Sequence, residues 1–152
     1  RGGDVAGSGT GVDAAGLARK ADAINAALDR VGDRAADPLQ RLAALGSADI
    51  AAATGFMMGA ARRGIPVVVD GLIASAEALM AEELAPGASA WMVAGHVSTE
   101  PSCALAQRRL HLAPILDLEM RLGEGTGAVL AVPILEASGA ALRDIAALAD
   151  LS

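Results

Sequence analysis

Apolar side chains in the first part of the chain recur at every third or fourth position. After Asp13, the residues Leu17, Ala21, Ile24, Leu28 and Val31 keep that spacing, which predicts a helix capped by the Asp13 carboxylate and stopped at Gly32. Asp37-Pro38 pairs a capping residue with a proline suited to a first helical position, and Leu39, Leu42 and Leu45 carry a short helix to Gly46. Ser47 opens the next helix, with Ile50, Ala53, Met57 and Ala61 on one face. It ends at Arg62-Arg63-Gly64, where the arginines complement the negative end of the helix dipole. The period then changes. Ile65-Pro66-Val67-Val68-Val69-Asp70-Gly71 is a β-branched run without alternation, as expected of a strand buried on both faces of a parallel sheet. Pro66 falls near its start, where no ladder donor is needed.

Leu72 to Leu84 reads as the following helix, closed by Ala85-Pro86-Gly87, and Ala90 to Gly95 reads as a second buried strand. A helix opens at Pro101 and runs through Leu110. Pro114 to Leu118 is a third, weaker strand or an extended approach to the glycine-rich stretch that follows. A helix from about Gly125 should kink near 127–130 or restart at Pro133, and Leu142 to Leu151 predicts a closing helix. Two strand–helix units in series imply an α/β fold: a partial doubly wound, Rossmann-like parallel sheet flanked by helices. Residues 1–12 hold five glycines and read as a flexible start, a junction or a ligand-cradling loop; 13–152 read as part of one α/β domain. Three strands leave an edge uncovered, which points to further strands or to a subunit contact.

Composition sharpens this picture. About a quarter of the chain is alanine, far above usual usage, so the flanking helices should pack closely. Phe56 and Trp91 are the only aromatic side chains, which removes the stacking platforms of single-strand nucleic-acid binding. Net charge is −6, and eleven arginines with one lysine, Lys20, form no basic stripe, so a nucleic-acid partner is not expected. Cys103 is the only cysteine and reads as an inert core residue; His96 and His111 lack the spacing of a zinc pair. No apolar run reaches the ~20 residues that span a bilayer, and no secretory signal is visible, so a cytoplasmic protein without membrane partners is expected.

Ligands of open parallel sheets bind beyond the carboxyl ends of the strands. Asp70-Gly71 and Gly95-His96-Val97-Ser98 lie at two such ends, and Glu124 follows the third candidate strand. Each residue has a plainer alternative. Asp70 can cap the next helix, His96 can be a packed core histidine, and Ser98 or Thr99 can cap the helix at Pro101. Lys20 can be a solvated helix residue. Gly7-Ser8-Gly9-Thr10-Gly11 has a faintly phosphate-binding look, without the Lys-Ser/Thr ending of a P-loop. Glu124 itself, in Met120-Arg121-Leu122-Gly123-Glu124-Gly125-Thr126-Gly127-Ala128, fits either a first helical turn or a carboxylate facing a ligand among glycines.

That nine-residue stretch resembles the signature of the nicotinate-nucleotide–dimethylbenzimidazole phosphoribosyltransferases. Gly9-Thr10-Gly11 before a helix with Lys20, Asp37-Pro38-Leu39, Val67 to Gly71, and Ala94-Gly95-His96 with Ser98 and Glu100-Pro101 agree in the same order. The resemblance covers the C-terminal part of such an enzyme. It implies transfer of phosphoribose from nicotinate mononucleotide to dimethylbenzimidazole, giving α-ribazole phosphate and nicotinate for the lower ligand of cobalamin. It makes Glu124 the general base. Lys20, Ser98 and the glycine loops (Gly9, Thr10, Gly11, Gly95, Gly125, Gly127) become substrate- and phosphate-binding positions, with Asp70 on the ribose side or supporting the site. No metal or redox cofactor is implied, and a homodimer is. Ser8, Glu119 and Ser102-Cys103 depart from the family pattern and bear on substrate preference. Transfer to another azole or a phenolic acceptor, and a non-catalytic nucleotide-binding module, stand as alternatives.

Overall fold

The structure, a computed structural model, describes residues 2–7, 9 and 11–146. Thr10 lies outside the described residues, as do residues 147–151 of the expected closing helix. Helix α1 spans Gly2–Val5, α2 Ala14–Val31, α3 Pro38–Leu45, α4 Ala48–Arg62, α5 Leu72–Leu84, α6 Pro101–Arg109 and α7 Thr126–Asp144. Strands β1, Val67–Val69, and β2, Met92–Ala94, pair in parallel with Val67 opposite Met92 and Val69 opposite Ala94. Short 3-10 turns cover Gly32–Ala36 and Ala88–Trp91.

Two of the expected helices start on the side-chain caps that the sequence predicts, whereas α6 starts from Glu100 and neither Ser98 nor Thr99 caps it. The Asp13 carboxylate accepts the Gly16 N–H at 2.8 Å and that of Asp37 accepts the Gln40 N–H at 2.8 Å, each satisfying a donor that an open first turn leaves unpaired. Ser47 occupies the cap of α4, but its hydroxyl is bonded to Asp49 and makes no cap bond.

Four expectations are corrected. The start of the chain is not purely a loop, because Gly2–Val5 forms a helical turn against α2. The Gly2 N–H bonds Asn25 Oδ1 at 2.9 Å, and a side chain at Gly2 would overlap the Ala21 carbonyl. The strands are shorter than the apolar runs that contain them, since Ala90 and Trp91 belong to a turn. The third strand reduces to one parallel bridge, His96 to Leu116, with the Val97 N–H on the Leu116 carbonyl at 3.0 Å. Finally, α7 continues through Pro133 as one helix, and Leu142–Asp144 are its end rather than a new start. Pro133 is exposed and Ala131, on the buried side, is fully covered, so packing of the first turns holds the helix despite the lost bond.

The core lies on one side of the sheet, where Met57, Val69, Ala78, Ala81, Ala88, Met92 and Leu110 join α4, α5, the sheet and the end of α6. Ala78 and Ala81 have no exposed surface, and alanine at these positions lets α5 lie closely between α4 and α6. Helix α7 also packs against β1. The result is an α/β arrangement, helix-rich around a two-stranded parallel sheet. Among the described residues no helix is long and apolar enough to cross a membrane.

Candidate active site

Both strands end at the same edge, and α7 starts there. Asp70 directly follows β1. It does not cap α5, the helix that comes next in sequence, which starts from Gly71 with no side-chain cap. Its carboxylate reaches instead to the first turn of α7: Oδ1 accepts the Ala128 N–H at 3.0 Å and Oδ2 the Gly125 N–H at 3.1 Å. Helix α7 has no local side-chain cap, so a residue far away in sequence supplies it.

Glu124 directly precedes Gly125, the first of these two residues in the chain. Gly123, Glu124 and Gly125 have φ values of 81°, 57° and 74°, three left-handed residues in succession. Glycine accepts this conformation freely, whereas glutamate does so at a cost of about 1 kcal/mol or more. Thr126 closes the turn by donating its Oγ1 hydrogen and its N–H to the Gly123 carbonyl, at 2.7 and 3.1 Å. The loop holds Glu124 exposed, with its side chain free of described hydrogen bonds.

The glycines at the strand ends serve close packing. A Cβ on Gly127 would stand 1.9 Å from the His96 ring, and one on Gly95 would stand 2.8 Å from the Ala128 Cα. The end of β2 and the first turn of α7 therefore touch backbone to backbone. His96 is buried at 2% exposure, with Nε2 3.3 Å from Asp70 Oδ1 as a close contact rather than a hydrogen bond. Its carbonyl accepts the Gln107 Nε2 hydrogen at 2.7 Å in the interior.

Two cavities meet at Glu124. The first, about 330 Å³, is the more polar of the two: Asp70, His96, Ser98, Glu100, Arg121 and Glu124 line it beside Gly71, Leu122 and the start of α5. The second, about 520 Å³, is mainly apolar and is lined by Met120, Leu122, Val129 and Leu130 together with Arg121, Glu124 and Thr126. Arg121, Leu122 and Glu124 belong to both. A further cavity of about 580 Å³, bounded by Met58, Arg62, Ala85 to Ala88 and Trp91, lies at the far end of α4 and gathers no acid–base groups.

The sequence-derived candidates thus divide. Asp70, Ser98 and Glu124 come together around the polar cavity. Gly95 and Gly127 act from behind it, by letting β2, His96 and α7 pack closely, and Gly125 donates its N–H to Asp70. Lys20 does not line the cavity; its ammonium donates to the Gly7 carbonyl at 3.0 Å, and Gly9 donates its N–H to Glu100 Oε1 at 2.7 Å. Gly11 lies in the same loop, at φ 131°. Glu100, which sequence reasoning used only as part of a motif, links that loop to the cavity. Ser98 is buried and its Oγ accepts the Glu100 N–H at 3.3 Å. Arg121 stands inside the nine-residue stretch without a role assigned to it there, and Gln107, whose partner is the His96 carbonyl, carries no local signal of that bond. Cys103 is free and buried, 3.6 Å from Ser75 Oγ. Among the described residues no group of three or more His, Cys, Asp or Glu is placed to hold a metal ion.

Comparison with known proteins bears directly on this geometry. A family model described as phosphoribosyltransferase matches residues 2–151. The chain belongs to that family. It is 54% identical over 143 residues to the nicotinate-nucleotide–dimethylbenzimidazole phosphoribosyltransferase of Mycobacterium avium, covering 94% of this chain and 41% of that protein. The protein of the same name from Mycobacterium ulcerans is 50% identical over 146 residues, covering 96% of this chain and 41% of its own length. Among solved structures, CobT from Thermus thermophilus superposes with a TM-score of 0.88 at 41% identity, over 93% of this chain and 42% of that one. The chain therefore spans about two fifths of the length of the relatives it matches.

Proposed function

We propose that this chain carries the reacting centre of a nicotinate-nucleotide–dimethylbenzimidazole phosphoribosyltransferase, with Glu124 as general base. The observation that supports the reading is the position of Glu124 between a polar cavity and an apolar one. Transfer of a sugar phosphate to an aromatic base needs those two environments side by side. In the reaction one imidazole nitrogen of the base attacks the anomeric carbon, on the face opposite nicotinate. The ribose–pyridinium bond breaks, and its electron pair returns to the nicotinate nitrogen. That ring is cationic while it is bonded to ribose and leaves as the neutral pyridine, so its departure needs no acid. The second imidazole nitrogen releases its proton to the Glu124 carboxylate, which must lie within about 3 Å of it. Inversion yields the α-riboside.

On this reading Ser98 is a neutral donor to the nucleotide, and Lys20 with the glycine loop at Gly9, Thr10 and Gly11 faces its phosphate. The Lys20 ammonium has three donors and spends one on the Gly7 carbonyl, which leaves others for a phosphate. Arg121 contributes the permanent positive charge beside a cavity otherwise lined by three carboxylates. The assembly we propose is a homodimer, supported by apolar side chains around the site such as Leu122 and Val129, each 67% exposed. A cytoplasmic location fits the free thiol of Cys103.

The test is nicotinate release in the full-length natural chain that carries these residues. Glu124→Gln should lower kcat by about 100-fold or more while the dissociation constant for nicotinate mononucleotide changes little. Undiminished turnover in that variant would falsify the assignment. A panel of benzimidazoles, other azoles and phenols identifies the acceptor class, and nucleotide binding without nicotinate release beside any of them would identify a binding module.

A further inference from the structure

We infer that Asp70 is a positioning residue: by bonding the backbone on both sides of the first turn of α7, it fixes where the Glu124 carboxylate stands between the two cavities. The inference rests on the reading of Glu124 given above and adds a role for a second carboxylate.

A loop of the form Gly-Glu-Gly has many conformations open to it, and nothing in its own residues selects three consecutive left-handed ones. The bonds from Thr126 to Gly123 are local, so they close the turn without tying it to the sheet. Asp70 supplies the long-range tie. Its two oxygens take the N–H of Gly125, the residue directly after Glu124, and that of Ala128, the third residue of α7. The carboxylate is itself held from behind. Val69 is buried in the paired strand, the Gly95 N–H bonds the Val69 carbonyl at 2.8 Å, and the His96 ring lies against Oδ1. His96 is packed in place: it is buried, its ring fills the space beside Gly127, and Gln107 anchors its carbonyl. The end of β1 thus dictates the backbone under Glu124, and a displacement of about 1 Å at a reacting group can cost about 100-fold in rate.

Asp70→Ala and Asp70→Asn in the full-length natural chain separate this role from others. In Asp70→Ala the amide protons of Gly125 and Ala128 should exchange with solvent at least about ten times faster. Per folded molecule, kcat should fall about 100-fold while KM for nicotinate mononucleotide stays within about three-fold. Asp70→Asn keeps one carbonyl acceptor and should fall between parent and alanine variant in both readouts. The inference is overturned if exchange at the two amides is unaltered. It is overturned equally by an intact kcat per folded molecule, as a mere helix cap would give, or by a raised KM with intact kcat, as a direct substrate contact would give. If the parent releases no nicotinate with any acceptor, the catalytic reading fails, and the exchange experiment still decides whether Asp70 holds the loop.

Discussion

At the scale of single residues, the site depends on where side chains are missing as much as on where they are present. The His96 ring occupies the space a Cβ on Gly127 would need. Gly127→Ala should therefore destabilise the fold by about 1–3 kcal/mol, the usual range for overpacking a close contact, read as a lower midpoint in denaturant. An unchanged midpoint would mean that His96 moves freely, contrary to its burial. Glu124 was legible in the sequence because glycines on both sides of a carboxylate are a local pattern. The partners of Asp70 were not: a cap on α5, the neighbour in sequence, is one of the roles its position offers, and the carboxylate caps α7 instead. Lys20 illustrates the same limit, since a lysine on a helix carries no mark of the carbonyl it meets.

At the scale of elements, capping chemistry reported the starts of α2 and α3, because a cap involves residues three apart. Strand ends were less legible, since an apolar run shows what is buried and not how many residues find a ladder partner. Pro133 was read as an interruption because its missing N–H is a local fact; the packing that carries α7 past it is not. The turn between α5 and β2 offers a pH-dependent test. Glu82 accepts the Gly87 and Ser89 N–H groups at 2.9 and 2.7 Å, and these bonds hold its carboxyl below the usual glutamate range. Stability from them is complete above the ordinary glutamate pKa and is lost as pH falls through the lowered one. Glu77 acts in the opposite sense: burial, with Asp49 nearby, raises its carboxyl, so its contribution is lost as pH rises through the raised value. Glu82→Ala should lower Tm at neutral pH by roughly 2–4 °C, the shift about 1 kcal/mol produces in a chain this size, and should narrow the gap from the parent in acid. Thermal melts across the acid range measure both effects.

At the scale of the whole molecule, the small sheet and the apolar surface belong together. Phe56, Leu122 and Val129 are each 67% exposed, and the chain spans about two fifths of its relatives' length. A surface of that kind is expected to be covered. Light scattering on the full-length natural chain should return the mass of two copies, and a stable monomer would contradict the proposed dimer. The small size of the sheet follows from the short series of strand-like runs, although the third of them contributes only the His96–Leu116 bridge.

By itself the sequence determined the helices with local caps, the two strand–helix units, the α/β class and the carboxylate to examine first. These follow from spacing, propensity and short-range chemistry, all of which act between near neighbours in the chain. Tertiary structure alone decided that Asp70 reaches 58 residues forward to cap α7, that Gly127 makes room for His96, and that Glu124 stands between a polar and an apolar cavity. Such facts depend on how separated segments are brought together, and that is set by the packing of α7 against β1 rather than by any stretch read alone.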